Sequence, residues 1–150
     1  MRRKKGFSVI EIILVLGVIG ILSSFIVPKV RDYLAMAKDS KAINTLQNLR
    51  VASETYYLEK GLYPWSGEDG TKMSTILEKL ENYIGNKVKI GDGQEDLLLE
   101  IGGSKANPED SITYGGKVKV EIENNKNDLY LEPVAPALEF NIRGEKWKEI

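Results

Sequence analysis

The chain contains no cysteine and no histidine among its 150 residues. Without cysteine there is no disulfide and no thiol nucleophile, and without histidine there is no imidazole base and no zinc site of the usual kind. An enzyme built from this sequence would rely on carboxylates. Pairs such as Glu68 and Asp69 are what a chain with 29% charged residues shows by composition alone, so the sequence reads as a protein that is not an enzyme. Beyond the start the net charge is negative. The net charge is −1, and Arg2, Arg3, Lys4 and Lys5 carry +4 of it, which leaves −5 for the remainder and disfavours general electrostatic binding of nucleic acid.

What is present begins directly after that basic start. Phe7 to Ile10, Glu11, and then the uncharged run Ile12 to Pro28 are long enough to cross a bilayer as a helix. The basic residues at its head keep the N-terminus in the cytoplasm and send the body across the membrane. Glu11 is the anomaly, because a charge within a span costs about 2.5–3.5 kcal/mol on insertion scales and so calls for a partner in the assembled state. A secretory signal fits poorly, since the end of the apolar run, Ser23 to Pro28, carries no small-x-small cleavage site and leads straight into a helical pattern, and a plain single-span anchor leaves Glu11 unexplained. Gly17 and Gly20 weaken the helix interior and Pro28 removes a backbone donor, so a soft spot or kink is expected there.

Beyond Pro28 the helical period continues through Ala42, Leu46, Leu49, Ser53 and Tyr56, which predicts one helix from about residue 8 to residue 60, stopped by Gly61 and Pro64. Its inner half is span and its outer half an amphipathic spine. Residues 65–72 read as loop, and Met73, Ile76, Leu77, Leu80 and Ile84 as a short second helix closed by Gly85. The period then becomes two. Val118, Val120 and Ile122, a turn at Asn124 to Asn127, then Leu129 and Leu131 make a hairpin. Leu97 to Ile101 and Leu138 to Ile142 are further strand candidates, with Pro133 to Pro136 breaking the pattern between strands. The expected fold class is α+β: a long helix against an antiparallel sheet of three to four strands, with Trp65 and Trp147 as buried or rim aromatics.

The N-terminus, with Gly6, Phe7, Ser8, two aliphatics, Glu11 and a hydrophobic helix containing Pro28, resembles the class III prepilin signal of type IV pilins and type II secretion pseudopilins. The resemblance covers about the first 60 residues, and Gly61-Leu62-Tyr63-Pro64 is similar to that family's helix-ending element. It implies a pilin-like fold with residues 1–6 as a removed leader, 7–28 as the transmembrane and assembly helix, and 29–150 as the exported head. It further implies that a prepilin peptidase cuts between Gly6 and Phe7 and methylates the new Phe7 amine. Glu11 would then pair with the N-terminal amine of an adjacent subunit. An inner-membrane platform with a cytoplasmic ATPase would draw subunits out of the lipid into a filament on the cell surface or in the periplasm. Gly17 to Pro28 would be the stretch that loosens during assembly.

Two tasks stay open within the resemblance, a surface pilus (with nucleic acid as a partner only for a competence pilus) or a secretion pseudopilus; a single-span anchored binding domain is the remote third. No cofactor is expected. Calcium is the one ion worth weighing, with Asp92, Glu95 and Asp96 as weak candidates that form no recognisable ligand series.

Overall fold

The computed structural model describes residues 6–67, 72–84, 88–91, 94–123 and 125–150. The chain forms two compact units, Met1–Leu34 and Ala35–Ile150, and helix α1 (Val9–Lys60) contributes to both. In the first unit, every described residue but Asp32 is exposed, including all the large apolar side chains from Val9 to Val27. Among the described residues α1 is the one helix long and apolar enough to cross a membrane. It ends where glycine allows it: Gly61 takes φ 74° and donates its N–H to the Tyr57 carbonyl at 2.8 Å, the left-handed cap that an L side chain resists.

In the second unit α1 is one-sided. Ala35, Asp39, Ala42, Leu46 and Leu49 are buried at steps of three or four, and Ala52 and Ser53 lie three and four beyond Leu49, the spacing that keeps them on one face. Helix α2 (Met73–Ile84) buries Met73, Ile76, Leu77 and Leu80 into the same core. Five strands follow: β1 (Leu98–Glu100), β2 (Gly103–Ser104), β3 (Thr113–Tyr114), β4 (Lys117–Glu123) and β5 (Asp128–Val134). The main sheet is antiparallel in the order β1-β4-β5, while β2 and β3 pair separately. Val118, Val120, Leu129 and Leu131 supply its inward face and are essentially fully buried with Leu97, Ile101 and Trp147. The β4–β5 turn uses Asn127 at φ 51°; Asn124, the start of the expected turn, lies outside the described residues, as does Gly85.

Two strand expectations need correction. Pro133 does not break the sheet; it sits inside β5 opposite Val118. Ile101 donates to Gly116 O and Val120 to Leu97 O, which makes Val118 a bonded partner of β1 and turns its own groups away from β5. At that register the missing donor of Pro133 faces outward from an edge strand, where proline is tolerated. Leu138 to Ile142 is not a strand. Only Phe140 makes bridges, to Lys105 and Lys146, because the chain turns at once through Asn141–Glu145, with Gly144 at φ 87°.

Candidate assembly segment

Serine at position 8 starts the helix. Its carbonyl accepts the N–H of Glu11 at 3.1 Å and of Ile12 at 3.2 Å, and its own N–H donates to the Glu11 carboxylate at 3.3 Å. Ser8-Val9-Ile10-Glu11 is thus half of a capping box: the acid three residues in reaches back to an otherwise orphan donor, at the helix end where negative charge is favoured. The S-x-x-E spacing signals this in the sequence, and Ser8 was the residue that charge and hydropathy alone passed over. Gly6 and Phe7 precede the helix, with Phe7 83% exposed. Residues 1–5 lie outside the described residues.

Helix α1 is continuous through Gly17, Gly20 and Pro28. A Cβ at Gly17 or Gly20 would meet nothing within 4 Å, so no contact within this chain requires glycine there. Pro28 has no N–H to give the Ser24 carbonyl; the Ser24 hydroxyl donates to Ile21 O at 2.7 Å, a back-bond that itself tends to bend a helix.

In the second unit two polar side chains of α1 hold distant chain against it. Asp39, 5% exposed, accepts the N–H of Gly102 at 2.8 Å and of Ile142 at 3.3 Å. Burial pushes its carboxyl above the ordinary range, against the opposing pull of backbone N–H groups and Arg143. One turn earlier, Ala35 lies so close to Gly102 that a Cβ there would sit 2.0 Å from the Ala35 carbonyl oxygen. Arg50 donates to Leu129 O at 3.0 and 2.6 Å and to Ile150 O at 2.8 Å, and pairs with Asp128 at 2.9 Å. At the end of α1, Tyr57, Tyr63 and Trp65 stack with centroids 4.6 and 5.1 Å apart.

The weak metal candidates form no cation site among the described residues. Asp92 lies outside the described residues, Asp96 faces the Lys119 ammonium at 3.1 Å, and no group of three acids among the described residues is arranged around a cation.

No family model matches the chain. Among curated proteins it is similar to the fimbrial protein EcpC of Eikenella corrodens, 32% identical over 81 residues covering 54% of this chain and 53% of that protein. A type IV major pilin protein PilE1 of Neisseria gonorrhoeae is 31% identical over 100 residues, 67% of this chain and 55% of the relative. A fimbrial protein of Pseudomonas aeruginosa is 36% identical over 59 residues, 39% and 38% of the two chains. The chain therefore spans at most about half the length of the curated relatives it matches. A long apolar helix with one acid in its first turn, followed by α2 and an antiparallel-sheet head, accompanies this similarity, which is to type IV pilins and fimbrial proteins.

Proposed function

We propose that the chain is the structural subunit of a type IV filament, cut by a prepilin peptidase between Gly6 and Phe7 and polymerised through residues 7–28 of its helix. The single observation that carries this reading is the wholly exposed apolar stretch of α1 from Val9 to Val27, whose one carboxylate, Glu11, lies four residues from Phe7. Hydrolysis of the Gly6–Phe7 peptide bond turns a neutral amide into an amine, which stays cationic at neutral pH whether or not it is methylated. The cut removes the basic leader and leaves that amine as the cation for Glu11 to meet. In a subunit still in lipid, the carboxylate has the Ser8 N–H; in a filament, it has the Phe7 amine of a neighbour. Desolvation cancels much of that attraction, so the pair fixes register more than it adds stability.

The basic leader stays on the cytoplasmic side, the head is exported, and an inner-membrane platform with its ATPase extracts the subunits. Gly17, Gly20 and Pro28 supply the stretch of weakest helix for that extraction. The relatives bear fimbrial and pilin names, which favours a surface pilus over a secretion pseudopilus. The test is co-expression with a prepilin peptidase, reading intact mass and N-terminal residue. A product starting at methylated Phe7 is expected; a chain that keeps Met1, or is cut near Ser24, sinks the proposal.

A further inference from the structure

The two edges of the main sheet are treated differently. Along β5 the outer edge has Pro133 without a donor and Leu129 O occupied by the Arg50 guanidinium. Along β1 the register sends the N–H and C=O of Leu98 and Glu100 away from β4, since Leu97 and Ile101 make the bonds to β4 and its start. Among the described residues none of those four outward groups has a hydrogen-bond partner.

This open edge forms one wall of a groove of about 310 Å³. Its floor includes Ala42 and Leu97, and its far wall carries Lys38 and Lys41 of α1 and Lys89. An adjoining depression of about 510 Å³ adds Lys117 beside Lys38 and Glu100. All four lysines are exposed, and none takes part in an ion pair with a described residue; among the described residues Glu100 is the one acid in either lining. Lysine on an edge strand is a common guard against pairing. Here Lys38, Lys41 and Lys89 stand across the groove from the edge, and β1 itself offers Leu98 and Glu100.

We infer that this groove accepts an extended acidic peptide segment, which adds to β1 as a further strand while its carboxylates meet Lys38, Lys41 and Lys89. Main-chain bonds to Leu98 and Glu100 give the register, and the lysines select the charge. The inference stands apart from the filament reading, because it needs only the head.

The probe is a labelled octapeptide of alternating valine and glutamate, titrated by fluorescence anisotropy against the full chain in neutral detergent micelles. Saturable binding is expected, with slowed amide exchange at Leu98 and Glu100. Lys38→Glu with Lys41→Glu should weaken it at least about tenfold, and Leu98→Pro, which removes an outward donor together with a half-buried side chain of the lining, by about as much. The same peptide N-methylated at alternate residues makes the backbone test without altering the protein and should bind at least about tenfold more weakly. Absence of binding, or equal binding by the methylated peptide, overturns the inference. So does a single-stranded oligonucleotide of equal charge that binds as well and ignores Leu98→Pro, which would make the groove a general anion site.

Discussion

Residues 9–34 and 35–60 are consecutive stretches of one helix, yet their side chains meet opposite conditions. In the first, apolar residues occupy every face and none is buried; in the second, seven positions on one face are buried and the rest are half-buried or exposed. A helix apolar all round has no inside of its own and needs lipid or other helices as its solvent, whereas a one-sided helix is completed by its own chain. The difference separates what residues do for assembly from what they do for folding.

The sharpest way to break that separation is Glu11→Ala. Filaments in sheared surface fractions should be lost altogether, while the head's melting free energy moves by less than about 0.5 kcal/mol. A head destabilised by Glu11→Ala would deny that the stretches are independent. Next comes the same substitution made twice. Gly102→Ala drives a methyl into the Ala35 backbone and should destabilise the head by about 3 kcal/mol or more in urea unfolding. Gly17→Ala meets no atom within 4 Å and should leave the head unchanged while favouring helix by about 1 kcal/mol. If filament yield falls with Gly17→Ala, the loosening role is supported; equal effects of the two substitutions on the head would remove the contrast.

A smaller effect sharpens the folding side. The Asp39 carboxyl is raised above its unfolded value of 3.8, so the folded head holds a proton that the unfolded chain releases. The stability from that proton is fully present below pH about 3.8 and is lost as pH rises through the folded value. Asp39→Asn does not titrate. The wild type should therefore lose stability relative to Asp39→Asn over that window, measured by urea unfolding at a series of pH values. A constant difference would mean that the carboxyl is not raised.

Much of this was legible in the residues. The 3.6 period marked the second stretch of α1, Gly61 its end, and the alternation from Val118 to Leu131 the hairpin. Local spacing could not show that Asp39, one charged residue in a polar run, would be buried, since its partners depend on where β1 and the Asn141 turn come to rest. Pro133 misled for a related reason: proline forbids one direction of pairing, and which direction matters depends on register. The pair β2–β3, two residues each, lies below the length at which alternation is readable. At the N-terminus, the roles of Gly6, Phe7 and Glu11 are what the resemblance implies and stay proposals, while the bond from Ser8 to Glu11 came with the coordinates.

Asp39 reaches Gly102 across 63 positions of sequence and Ile142 across 103. Exported chains commonly join such distant points with a disulfide, whose formation takes seconds to hours and needs an oxidant. In this cysteine-free head one carboxylate stitches both points with two hydrogen bonds. Were the head exported as proposed, its refolding after being torn open by force would need no oxidant, whatever the redox surroundings.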